Sequence, residues 1–213
     1  MKKYMVTSII ILWLSICYAA IGHADNARKE RTVHFGVMGS IIGSGGFFGL
    51  QIFEMIYLGG NFTSFAYDEK NSDETELIEL DLSTQTALLR IYPISDWSFF
   101  FQGGYVSRDW KIQGWSYDSN DDGTIHPDEW VKATLTFPKS ASMVGLGFEW
   151  IADWGLTFSL GINAIIGDAP EVEIESGSDA VQEDIDREEE NLEKEAEGLE
   201  TIPQVYLSLG YAF

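Results

Sequence analysis

Cysteine is almost missing. Cys17 is the only one, and residues 25–213 contain none, which excludes a disulfide framework and thiol chemistry in that part of the chain. Long hydrophobic runs are missing as well. Outside Met5–Ala20 no stretch reaches the length a transmembrane helix needs. Basic residues are scarce: 13 Lys and Arg against 34 Asp and Glu leave a formal net charge of -21. That sign excludes a nucleic-acid partner, since phosphate binding needs the opposite one. Of three histidines, only His34 and His126 lie after residue 24. There is no Gly-x-Ser-x-Gly elbow, phosphate loop or zinc-ligand spacing. The expectation is a protein that is not an enzyme.

What is present begins with an address. Lys2 and Lys3 precede the apolar run, and the small-x-small triplet Gly22-His23-Ala24 follows it. This layout predicts a signal peptide over residues 1–24, cleaved before Asp25, with 25–213 exported as one domain. Ile16 stands where a lipobox takes a small residue, so Cys17 is not read as a lipidation site.

Aromatic residues make up 14% of the chain and glycines number 21, a composition that suits strands and tight turns. Toward the C-terminus Val205, Leu207, Leu209, Tyr211 and Phe213 alternate with Gln204, Tyr206, Ser208, Gly210 and Ala212. Upstream, Trp154, Leu156, Phe158, Leu160 and Ile162 alternate with Gly155, Thr157, Ser159, Gly161 and Asn163. Period two is the strand signature. One face is large and apolar, while the other is too small and polar for a soluble surface and suits the inside of a narrow barrel. The same reading gives strands over 32–42, 47–53, 57–67, 76–92, 97–117 and 130–150. Gly43–Gly46 is expected as a tight turn, and Pro138-Lys139-Ser140 as a bulge within the sixth strand.

Eight strands are an even count, as bacterial barrels require. Counting back from a periplasmic C-terminus makes the turns near 55, 94 and 152 short and periplasmic. The connections at 68–76, 117–130 and 168–200 become extracellular and longer. Trp97, Trp150 and Trp154 fall beside the short turns, where an aromatic girdle belongs. The alternating segments and the ending Leu209-Gly210-Tyr211-Ala212-Phe213 resemble the small eight-stranded outer-membrane β-barrel superfamily. The resemblance implies an all-β, closed antiparallel transmembrane β-barrel in a Gram-negative-type outer membrane. It also implies contact with outer-membrane lipid and delivery to the assembly machinery through the strand ending at Phe213.

One motif carries sharper chemistry. Residues 118–129, Asp-Ser-Asn-Asp-Asp-Gly-Thr-Ile-His-Pro-Asp-Glu, fit the twelve-residue EF-hand-like calcium loop. Calcium is a hard cation that takes six to eight oxygens. Asp118, Asn120 and Asp122 would supply side-chain oxygens, Thr124 its carbonyl, His126 a water-mediated contact, and Glu129 both carboxylate oxygens. Gly123 permits the sharp bend. The flanks read as strand rather than helix, so the expectation is a Ca2+ turn grafted onto a hairpin.

Residues 171–200 hold fourteen Asp or Glu against Arg187 and Lys194 alone. Val181, Ile185, Leu192 and Leu199 lie at helical spacing there, with Ser178 and Gly198 as caps, so a short acidic helix is an expectation for this loop. Arg90, Glu149, Glu54 and Arg108 are assigned to the lumen, where opposite charges pair and fill a narrow barrel. His34 is assigned there too. The functional reading is a non-enzymatic surface protein presenting a calcium loop and an acidic loop, for adhesion, envelope stabilisation or shielding. A lipid-modifying enzyme and a narrow channel are the alternatives.

Overall fold

The computed structural model describes residues 28, 30–70, 76–94, 97–119, 125–177, 189–194 and 196–213, with the backbone alone at 76, 116–119, 125–129 and 197. The signal-peptide reading of residues 1–24 lies outside the described residues. Ten strands run in chain order: β1 (Val33–Ser40), β2 (Gly43–Phe53), β3 (Ile56–Lys70), β4 (Glu76–Ile91), β5 (Phe99–Ser119), β6 (Ile125–Thr136), β7 (Ser140–Ile151), β8 (Leu156–Ile166), β9 (Glu171–Ser176) and β10 (Thr201–Ala212). Every pairing is antiparallel. Eight strands close on themselves in the order β1-β2-β3-β4-β5-β7-β8-β10, with β10 returning to β1 through His34↔Ala212 to Ser40↔Tyr206. Closure removes the free edges that hydrocarbon cannot hydrogen-bond. No helix among the described residues is long and apolar enough to cross a membrane.

Alternation sorts the side chains as the sequence predicts. Along β10, Val205, Leu207 and Leu209 point outward and are exposed, whereas Gln204, Tyr206 and Ser208 are buried. Val37 and Phe62 each leave 64% of their surface exposed. Fully exposing one such side chain to water forgoes roughly 1.5–3 kcal/mol, so a continuous belt of them belongs in lipid. An eleven-residue strand such as β8, tilted by roughly 40°, covers about 28 Å, close to the height of an outer-membrane apolar band. At the short-turn end Phe213 stacks on Phe35 at 5.5 Å between ring centroids, Tyr211 packs against Phe213 at 4.8 Å, and Tyr211 donates its hydroxyl to the Trp154 carbonyl. Trp97 and Trp154 are exposed at this end. Gly155, at a φ of +106°, forms the β7–β8 turn and donates to Ala152 O at 2.8 Å.

Four expectations are corrected. The β1–β2 turn is Ile41-Ile42, and Gly43–Gly46 lie within β2. The expected sixth strand over 130–150 is two strands, β6 and β7, separated by a corner at 137–139. The connection at 168–200 contains a strand of its own, β9, then helical residues 189–194 and a 3₁₀ turn at Glu197–Glu200. Of the helix expected over 178–199, residues 178–188 lie outside the described residues. Glu54 is exposed on the β2–β3 turn rather than in the lumen.

The narrow bore is filled by rings laid flat on glycines. Tyr206 pairs across the ladder with Gly161, and a Cβ added there would lie 2.6 Å from its ring. Tyr206 is 3% exposed and hemmed by neighbours, so Gly161→Ala should cost about 1–3 kcal/mol by overpacking. Combining it with Tyr206→Leu should cost less than the sum of the two single changes. Urea titration of the folded band in detergent gels measures all three. Strict additivity would mean that the ring and the glycine do not touch.

Candidate functional site

β4, β5, β7, β8 and β10 each turn polar side chains into the lumen, where they bond to one another. Glu149 on β7 is 2% exposed, and its carboxylate accepts from Arg90 Nη1 at 3.0 Å, the Tyr92 hydroxyl at 2.7 Å and Ser159 Oγ at 3.3 Å. Arg90 on β4 also donates from Nε to Gln102 Oε1 at 2.9 Å. Gln102 donates to Asn163 Oδ1 at 2.5 Å, and Asn163 donates to Gln204 Oε1 at 2.8 Å. The Arg90 guanidinium lies 4.5 Å from the Phe100 centroid and 5.1 Å from that of Tyr57. A chain of bonded groups thus crosses the bore from β4 to β10. The void left between Met38, Tyr57, Arg90 and Tyr206 is about 10 Å³, room for about one water.

Both mouths are closed by arginines. At the short-turn end the Arg28 guanidinium sits 3.8 Å over the Tyr92 ring and donates to Trp97 O at 3.0 Å. At the other end Arg108 is 1% exposed, lies 5.2 Å from both the Trp110 and Phe137 rings, and donates to Pro138 O at 2.8 Å and Asp168 O at 3.3 Å. This arginine marks the corner at 137–139. Below it β5 pairs with β7, from Phe99↔Phe148 to Ser107↔Ser140; above it β5 pairs with β6, from Lys111↔Thr136 upward.

The sequence reading places Arg90, Glu149, Arg108 and His34 correctly inside. His34 is 0% exposed and meets Tyr57 edge-on at 5.4 Å; neither ring nitrogen has a hydrogen-bond partner among the described residues. Tyr92 and Gln102, which bond the charged pair, were not singled out from sequence. Gln102 is in inward phase on β5, and Tyr92, one residue past β4, continues that strand's inward phase, which was a usable signal.

Above the barrel, β3, β4 and β5 continue past the wall and are extended by β6 and β9 into a five-stranded sheet. One row across it is Tyr67, Leu80, Ile112, Leu135 and Val172, and the next on the opposite face is Asp68, Glu79, Gln113, Thr134 and Glu173. Lys132 Nζ bridges to Glu175 Oε2 at 2.9 Å, tying β6 to β9. The expected calcium loop tops the β5–β6 hairpin. Asn120, Asp122 and Thr124 lie outside the described residues. Asp118 is the penultimate residue of β5, and His126 and Glu129 lie in β6; only their backbone is described. Register jumps between Tyr117↔Trp130 and Ser119↔Ile125. Asp118 alone therefore stands opposite the four residues His126–Glu129, so three of the six expected ligands share one irregularity.

The sequence matches no protein-family model and no curated protein. The fold does have solved counterparts. The chain is similar to the crystal structure of Acinetobacter baumannii CarO2, with a TM-score of 0.62 and 14% identity over 86% of this chain and 99% of that one. It is similar to Acinetobacter baumannii CarO with a TM-score of 0.61 and 12% identity over 87% of this chain and 99% of that one. At these identities the likeness is one of fold: a small, closed, eight-stranded barrel of the outer-membrane type.

Proposed function

We propose that this barrel, folded as the two CarO structures are, is a non-enzymatic outer-membrane surface protein that holds a calcium-binding loop and an acidic sheet above the membrane. The observation that carries this reading is the contrast between the two halves of the molecule. The bore is packed shut by Arg90, Glu149 and their partners, while β3–β5 outrun the barrel and recruit β6 and β9 to build an exposed sheet. A barrel that carries material does not fill its own bore. One that presents a surface needs a rigid, sealed base. The calcium turn at the hairpin tip, Asp118 to Glu129, and the acidic run 171–200 supply the chemistry of that surface, suited to adhesion, envelope stabilisation or shielding. Outer-membrane lipid surrounds the wall, and the strand ending at Phe213 serves delivery to the assembly machinery. Residues 1–24 serve export and are removed.

The near absence of cysteine makes a direct test simple. Single-cysteine variants at Glu173 on β9 and at Asp153 on the β7–β8 turn are expressed at the outer membrane and treated on intact cells with a membrane-impermeant maleimide. The Glu173→Cys protein should react at once. The Asp153→Cys protein should react only after the outer membrane is permeabilised. The reverse pattern, or recovery of the chain as a soluble periplasmic protein, would overturn the reading.

A further inference from the structure

The outer wall is not smooth. On the lipid-facing side of β2–β5 one ladder row reads Phe48, Gly60, Ala87, Tyr105, and the next toward the long-loop end reads Gly46, Phe62, Gln85, Ser107. Gly60 and Ala87 are adjacent and small, so the wall sinks between the rings of Phe48 and Tyr105. The dip is part of a concavity of about 940 Å³ on the outside of the barrel that reaches past β2 to Phe35 and Val37 on β1. Phe48, Phe62 and Tyr105 are each more than half exposed around it. Their flanking strands, β2 and β5, stand three ladder spacings apart, roughly 14 Å between backbones. Two ring widths leave room for one hydrocarbon chain.

Polarity runs along the groove in one direction. Toward the short-turn end the next row is Leu50, Leu58, Leu89 and Gly103; toward the long-loop end it is Ser44, Ser64, Ser83 and Asp109. Gln85 and Ser107 are exposed neighbours at the boundary, directly paired across β4 and β5. A primary amide pointing from a lipid-facing wall leaves two donors and an acceptor unsatisfied unless an adjacent molecule meets them. The groove is continuous with the apolar belt, so what fills it is bilayer, and the polar boundary orients the occupant with its head toward the long-loop end.

We propose that this groove seats one acyl chain of an outer-leaflet lipid, with the lipid's ester or amide linkage held by Gln85 and Ser107. The proposal rests on the membrane-barrel reading and adds a specific lipid subsite to it. The rings of Phe48 and Tyr105 grip the chain from both sides, and Gly60 and Ala87 form its floor.

The test uses the full exported chain, purified in mild detergent and supplied with palmitoyl-oleoyl phosphatidylethanolamine. Native mass spectrometry reads the lipid retained. The wild-type protein should hold one lipid through collisional activation that strips the rest. Ala87→Phe fills the floor and should lower retention about tenfold, the loss of roughly two methylene contacts. Gln85→Leu should lower it less and shorten the lifetime of the complex. Ile162→Phe, on β8 across the barrel from the groove and equally lipid-facing, should retain lipid as the wild type does. Heat-modifiable migration of every variant checks folding. Equal retention by Ala87→Phe and Ile162→Phe would overturn the subsite, as would a dimer captured across Ala87 by cross-linking. Failure of the membrane reading looks different, because no variant would then migrate as a heat-modifiable barrel.

Discussion

Arg90→Ala is expected to be the most damaging single substitution in the barrel, costing about 3–5 kcal/mol, the usual penalty for stranding one member of a buried ion pair. Among the described residues Arg90 is the guanidinium bonded to Glu149, at 3.0 Å, and the carboxylate is 2% exposed. After the substitution Glu149 keeps, among the described residues, the hydroxyls of Tyr92 and Ser159, and Gln102 loses the Nε donor that orients it. Replacing the pair together by Arg90→Met and Glu149→Leu should restore most of the loss, because desolvating two charges nearly cancels their attraction. Urea midpoints in lipid vesicles, read as loss of the compact gel band, measure the three proteins. The same set tests the seal. In planar bilayers the wild type and the double variant should be silent, and Arg90→Ala should conduct in bursts as water enters the emptied site. An Arg90→Ala barrel as stable and as silent as the wild type would show that the network neither braces nor closes the bore.

Calcium should bind with a dissociation constant on the order of 0.1–1 mM, the range of extracellular modules with a single exposed site. Glu129→Gln should weaken it by about tenfold or more, near 1.4 kcal/mol, because it removes the charged bidentate ligand. Asp128→Asn should change it less than twofold, since that side chain falls off the ligand positions of the motif. Magnesium should substitute poorly because it dehydrates reluctantly and demands octahedral geometry. The acidic run 171–200 is the competing sink for cations, and the fold dictates how to silence it. β9 pairs with β6 from Val131↔Ser176 to Thr136↔Glu171, so deleting the whole run would strip the hairpin of its support. Neutralising the eleven Asp and Glu residues of 179–200 to their amides leaves that ladder intact. In this background isothermal titration should still distinguish Glu129→Gln from the parent. Identical titrations would reduce residues 118–129 to an acidic turn.

By itself the sequence determined the class of fold, the eight walls in outline, the short-turn and long-loop ends, and the inward phase of Arg90, Glu149, Arg108 and His34. All of these follow from one local property: successive strand side chains point to opposite faces, so a period of two is legible without knowing any partner. Tertiary structure alone decided where partners change. β5 is 21 residues long, about twice what a bilayer crossing needs. Its upper half therefore requires a neighbour other than β7, and residues 125–136 leave the wall to provide it. Apolar alternation runs through 130–150 on both sides of the corner, and the Pro138-Lys139-Ser140 interruption reads equally as a bulge within one strand, so nothing local distinguishes a bulge from an exchange of partners. Gly43–Gly46 misled for a related reason. A glycine run reads as a turn, yet Gly46 lies in the ladder opposite Phe62, where a Cβ would come within 3.0 Å of the ring. Which inward groups bond to which was equally invisible. Gln102 and Asn163 stand 61 residues apart, and only closure of the barrel sets their separation, because hydrogen bonding across a lumen depends on the shear of the whole wall and not on any one strand.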